Sequence, residues 1–186
     1  STLRRRLVSI GVIHKLKGHY LDTKHPIIIE NLMGIKRKKG NFQRGKKPIL
    51  INQLKAIVDV IDNEKTEEIK RIRNKTIILI GFGGGFRRAE LVSIDFEDLE
   101  FVPEGVKIIV RKSKTDQFGE GMIKGLPYFS NETYCPVRHL KKWLGLSSIK
   151  SGPIFRRFFK SFKLSDNRLT DQSVALLIKN YLSLAG

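Results

Sequence analysis

The residues best suited to chemistry lie in one stretch, Gly81-Phe82-Gly83-Gly84-Gly85-Phe86-Arg87-Arg88-Ala89-Glu90-Leu91, entered from the apolar run Thr76-Ile77-Ile78-Leu79-Ile80. Clustered glycines let a backbone turn sharply or approach a ligand closely. Paired arginines directly after them suit an anion, phosphate above all. Two chemistries fit: a loop that cradles a nucleotide, or a turn that presents an arginine to a nucleic-acid phosphate.

The nucleotide loop fails on spacing. A dinucleotide fingerprint needs Gly-x-Gly-x-x-Gly, and Phe86 stands where the third glycine belongs. A Walker loop ends in Gly-Lys-Ser or Gly-Lys-Thr, which does not follow here. His14, His19, His25 and His139 have no metal-ligand spacing, and Cys135 with His139 is only a pair, so no metal site is expected. No serine carries the glycine elbow of a hydrolase. Cys135, the single cysteine, reads as a small half-buried side chain, excludes an intramolecular disulfide and suits a reducing compartment.

Charge favours the second chemistry. Thirty-six Lys and Arg against eighteen Asp and Glu leave +18 on 186 residues. So basic a balance repels itself unless a polyanion neutralises it, and nucleic acid is the commonest such partner. With 40% hydrophobic residues the chain can still bury a core. No apolar run has the length to span a membrane. Arg4, Arg5 and Arg6 before Leu7-Val8-Ser9-Ile10 imitate a targeting signal but lack a small-residue cleavage site.

The elements that position these groups follow from periodicity. Leu3, Leu7, Ile10 and Ile13 mark an amphipathic helix over residues 1–18, and Pro26 opens a second helix that ends in Lys36-Arg37-Lys38-Lys39-Gly40. The basic, glycine-punctuated stretch 41–48 reads as a linker. Leu54, Ile57, Val58 and Ile61 mark a third helix, and Thr66 is the expected N-cap of a fourth. Within it, the β-branched run 76–80 also suits a strand, but Ile69, Ile72, Thr76, Leu79 and Ile80 share one helical face and favour helix. A short helix over 89–94 and a polar turn over 95–99 lead to a strand over 106–111, a turn over 113–121 and a returning strand over 122–128. Helices from Pro136 (Val137, Leu140, Trp143, Leu144) and from the Thr170 N-cap (Val174, Leu177, Ile178, Tyr181) complete the chain. The fold class is mainly α with a small antiparallel β-sheet, α+β.

Several motifs occur in a fixed order: Gly85 to Leu91, Ser113-Lys114-Thr115-Asp116-Gln117, Tyr134-Cys135-Pro136-Val137, Gly152-Pro153-Ile154-Phe155-Arg156, and Arg168-Leu169-Thr170-Asp171-Gln172-Ser173-Val174. Together they resemble the tyrosine recombinases, the phage-integrase family. The resemblance implies the C-terminal part of a helical core-binding domain over 1–45, a linker over 46–51, and the N-terminal part of an integrase catalytic domain over 52–186. It implies double-stranded DNA as partner, no cofactor, no metal, no membrane, and a cytoplasmic protein of bacterial or phage-derived, mobile-element origin. Intact recombinase protomers or a separately encoded C-terminal piece are further expected partners.

What the resemblance implies chemically is metal-free phosphoryl transfer through a phosphotyrosine link. Arginines stabilise the charge of the transition state, and a lysine on a hairpin protonates the leaving 5′-oxygen. By position, Arg87 is the phosphate clamp, with Arg88 the alternative, and Lys114 the general acid, with Lys112 the alternative. Glu90 is the buried support of the arginine turn. Arg4, Arg5, Arg37, Lys38, Lys39, Arg44, Lys46, Lys47, Arg88 and Lys112 are the expected DNA-backbone contacts.

The family pattern continues with His-x-x-Arg, a further His or Trp, and a nucleophilic tyrosine. None of the four histidines has an arginine three residues later, and Tyr20, Tyr128, Tyr134 and Tyr181 all precede the tyrosine's place. The expectation is an internal fragment, inactive alone, with apolar faces uncovered around Trp143, Leu177 and Tyr181. A non-enzymatic duplex-DNA binder, half of a split recombinase, or an RNA-binding module are the alternatives.

Overall fold

The computed structural model describes residues 2–40, 45, 48–111 and 121–186. The chain divides into two compact units, Ser1–Pro48 and Ile49–Gly186. In the first, α1 (Thr2–Leu16) and α2 (Pro26–Lys39) are joined through Gly18 at φ +75°. Pro26 needs no backbone N–H at a helix start, and His25 caps α2 by accepting from the Ile27 amide at 3.3 Å. Two helices enclose no core: none of the described residues of this unit is buried, and the stripe of α1 shows Ile10 and Ile13 to solvent.

The second unit is built on α3 (Ile51–Asp62) and α4 (Glu68–Gly83). α4 is buried continuously from Ile72 to Ile80, which is why its sequence loses the usual one-sided stripe. β-branched residues cost a helix only tenths of a kcal/mol each, whereas burying an Ile contributes about 1.5–3 kcal/mol, so burial wins. Its polar members are paired: Lys75 Nζ lies 2.7 Å from Asp62 Oδ2, and Thr76 Oγ1 donates to Ile72 O. The cap falls one residue later than expected. The Thr66 amide donates backward to Glu64 O at 2.9 Å, and Glu67 takes the N-cap position, its carbonyl accepting from Lys70 and Arg71.

After α5 (Arg88–Ser93) and a single 3₁₀ turn, β1 (Leu99–Val102), β2 (Gly105–Val110) and β3 (Met122–Pro127) form an antiparallel sheet in sequence order. Val106 pairs with Leu126, and both turn inward onto α4 and α6 (Pro136–Ser147). β4 (Arg156–Phe158) and β5 (Leu164–Arg168) make a separate hairpin before α7 (Asp171–Leu184), which Thr170 caps by accepting from the Ser173 amide. Neither β1 nor this hairpin is legible in the sequence, because each is short and half exposed. The mainly helical fold with a small antiparallel sheet is as expected.

Two apolar clusters sandwich α4. Ile77, Ile80, Leu91, Val106, Leu140, Trp143 and Phe155 form the larger, and Leu54, Ile57, Ile61, Ile78 and Tyr181 the smaller. The uncovered face expected at Trp143, Leu177 and Tyr181 is not found. Trp143 is 0% and Tyr181 2% exposed, and Leu177 is half-buried against the smaller cluster. Trp143 Nε1 donates to Ile154 O at 2.8 Å. Cys135, expected half-buried, is fully enclosed, and its Sγ accepts from the Phe129 amide.

Candidate functional site

The site grows from the C-terminal end of α4. Gly84 caps the helix, its amide donating to Ile80 O at 2.9 Å, and the Phe86 amide turns back to Gly81 O at 3.1 Å. A β-carbon on Gly84 would lie 2.2 Å from the Phe86 ring, and Gly85 sits at φ +56°, a left-handed conformation that side chains disfavour. The glycines therefore do steric work in a tight turn.

The turn delivers Arg87 as the N-cap of α5, with Glu90 one helical turn on. Glu90 accepts from the Arg87 amide at 3.0 Å and from Arg87 Nη1 at 2.6 Å. The Glu90 side chain is 3% exposed and that of Arg87 50%. A carboxylate so deeply buried is tenable only when paired and hydrogen-bonded. It holds one edge of the guanidinium and leaves half of the side chain facing solvent. A guanidinium offers five donors in a rigid fork, the geometry that suits an oxyanion.

Lys124 on β3 joins the same group. Its Nζ lies 3.2 Å from Gly84 O, 3.1 Å from Gly85 O and 3.4 Å from Glu90 Oε2, over the Phe86 ring at 4.3 Å from its centroid. No sequence signal singled it out, because a lysine on a strand is ordinarily a solvated charge.

Arg88 is exposed and contributes to the lining of an apolar cavity of about 320 Å³ with Leu54, Ile78, Phe82, Phe86 and Ile178. Glu90 pairs with Arg87, so Arg87 rather than Arg88 is the arginine that the turn orients. A second ionic cluster lies beside it. Arg168 donates to Val92 O and to Asp95 Oδ1, each at 2.6 Å, and Arg111 Nε donates to Asp98 Oδ1 at 2.6 Å. The buried Asp98 carboxylate raises the Arg111 pKa further by this bond. Arg111, just after β2, and Lys124, on β3, are thus tied to Asp98 and Glu90. Lys112 and Lys114 themselves lie outside the described residues.

In the first unit Arg4 and Arg5 are exposed on α1, and Arg37, Lys38 and Lys39 on the last turn of α2. Arg44, Lys46 and Lys47 lie outside the described residues. Among the described residues no three His, Cys, Asp or Glu side chains group as metal ligands. No helix among them is long and apolar enough to cross a membrane.

Tyr181 is the last tyrosine of the sequence, and its hydroxyl is engaged. It donates to Glu64 Oε2 at 2.6 Å and accepts from Asn74 Nδ2 at 2.8 Å. Burial, reinforced by the Glu64 carboxylate, pushes its pKa well up. Both effects oppose a nucleophilic phenolate.

No family model matches the chain. The chain is 42% identical over 189 aligned residues to an integrase/recombinase xerD homolog of Selenomonas ruminantium. The alignment takes in 100% of this chain and 54% of that relative, so the chain spans about half the length of the curated protein it matches. The alignment runs from end to end of this chain and bears out its resemblance to the tyrosine recombinases.

Proposed function

We propose that this chain is the DNA-binding part of a site-specific tyrosine recombinase that holds a backbone phosphate on Arg87. The observation that carries the reading is the half-exposed Arg87 guanidinium fixed at 2.6 Å on a buried Glu90 at the end of a glycine turn. A positioned cation of this kind stabilises charge that develops on non-bridging oxygens. Lys114 is assigned as the general acid for the leaving 5′-oxygen, and Glu90 as the support of the clamp. Arg4, Arg5, Arg37, Lys38, Lys39, Arg44, Lys46, Lys47, Arg88 and Lys112 supply sequence-independent backbone contacts. Residues 1–45 correspond to the end of a core-binding domain, 46–51 to its linker and 52–186 to the catalytic domain. The proposed setting is the cytoplasm, without a bound cofactor.

Cleavage and rejoining need a second arginine and a tyrosine nucleophile. Tyr181, tied to Glu64 and Asn74, does not supply the latter. Strand exchange is therefore proposed for these residues only together with a part that brings them. A suicide DNA substrate is expected to trap no covalent adduct on this chain alone.

Titration of a labelled DNA duplex across salt concentrations tests the clamp. Affinity is expected to fall steeply with salt, as counterion release requires. Arg87→Ala should weaken binding about tenfold and reduce the slope of log affinity against log salt by about 0.9, the loss of one phosphate contact. Equal affinity for an RNA duplex, with no effect of Arg87→Ala, would favour a general nucleic-acid binder instead.

A further inference from the structure

We propose that Lys124 is a positioning residue for the Arg87 clamp: its ammonium locks the glycine turn and shares the charge of Glu90, the carboxylate on which Arg87 is seated. The inference rests on reading Arg87 as the phosphate clamp and extends it to a residue on another element.

The placement of Lys124 is unusual for a lysine. Along β3 side chains alternate between faces, so Lys124 shares the inward face with Leu126, which is 2% exposed. The Lys124 side chain is only 19% exposed. A charge on a core-facing position is costly unless its donors are satisfied. An ammonium has three N–H groups, and three acceptors lie within reach: Gly84 O, Gly85 O and Glu90 Oε2. The two carbonyls belong to the end of α4, where the helix dipole is negative and a cation is stabilised. The Phe86 ring beneath Nζ closes the remaining side with a cation–π contact. One side chain thus ties together Gly84, Gly85, Phe86 and Glu90, the residues that fix where Arg87 begins α5.

The second consequence is electrostatic. Lys124 and Arg87 both stand against the Glu90 carboxylate, so its charge is shared and does not bear on Arg87 alone. Low local dielectric around the buried carboxylate makes this sharing stronger than it would be in water. Lys124 stands on β3, so it links that strand to the arginine turn.

The test is a double-mutant cycle on the full chain, read by binding of a labelled DNA duplex at fixed salt, with circular dichroism and melting temperature recorded for each variant. Lys124→Gln keeps donors for the two carbonyls and removes the charge. It is expected to weaken binding about tenfold, comparable with Arg87→Ala, as loss of one charge-assisted contact predicts. The pair of substitutions together should cost no more than about threefold beyond either alone, because both act on one contact. Lys124→Arg should restore most of the affinity. Additive losses, or wild-type binding by Lys124→Gln, would overturn the role of Lys124 while leaving the clamp intact. If Arg87→Ala itself binds like the parent, the clamp reading fails and this proposal with it. Should Lys124→Gln lose its folded signal, Lys124→Arg decides: a folded, charge-retaining variant that binds no better than Arg87→Ala refutes the charge argument.

Discussion

Replacing Tyr181 by Phe removes one oxygen from a position 2% exposed and leaves the ring in place, so the change isolates the hydrogen bonds of the hydroxyl. On one side stands Asn74 Nδ2, in a residue 3% exposed. Its amide cannot simply flip, because Oδ1 already accepts from Arg73 Nε at 3.1 Å and Nη2 at 2.8 Å. Burial lowers the Arg73 pKa to about 10, so that guanidinium is still charged at neutral pH and needs this acceptor. On the other side stands Glu64, whose side chain is 27% exposed and can turn to water. The loss is therefore that of one stranded buried donor, about 2 kcal/mol. The melting temperature should fall by about 6 °C, taking about 3 °C per kcal/mol for a unit of this size. Urea unfolding followed by circular dichroism should show a lower midpoint with an unchanged slope. Glu64→Gln keeps an acceptor for the hydroxyl and should cost under about 1 kcal/mol. Asn74→Leu strands the charged guanidinium and should cost the most, about 3 kcal/mol or more. A Tyr181→Phe variant within about 0.5 kcal/mol of the parent would show that water reaches Asn74, and the reasoning would fail.

Stability should also carry the imprint of His139. Burial lowers its pKa below the ordinary 6.5, although Nδ1 bonds Cys135 O at 3.0 Å. The unfolded chain therefore takes up a proton first as pH falls. The contribution of His139 is complete above about pH 6.5 and is lost as pH drops from there through the depressed folded value. His139→Gln should flatten the pH dependence of the urea midpoint in that window and leave it unchanged near pH 8. Trp143→Ala should cost about 3–5 kcal/mol, since the ring is 0% exposed and its Nε1–H serves Ile154 O. Trp143→Phe should recover most of the loss in thermal melts, and near-parent stability of Trp143→Ala would contradict the packing described.

The sequence by itself determined the helices and the identity of the turn. Ile57, Val58 and Ile61 at helical spacing, Pro26 and Pro136 at helix starts, and Thr170 as a cap are local signals that survive into the structure because each acts within one element. The order of glycines and arginines from Gly81 to Leu91 is equally local. It pointed to an arginine presented by a turn, and to the family, without any tertiary contact. What only the tertiary structure decided is which charges meet. Lys124 lies 34 residues beyond Glu90 in sequence yet 3.4 Å from it in space. Arg73 and Asn74 on α4, Tyr181 on α7 and Glu64 between α3 and α4 form one hydrogen-bonded network. Such pairings depend on chain reversals that side-chain periodicity does not encode, so a lysine on an inward strand face reads the same in sequence as one in water. The short strands β1, β4 and β5 were hidden for the same reason, since a few residues carry too little alternation to mark themselves until a partner strand is beside them.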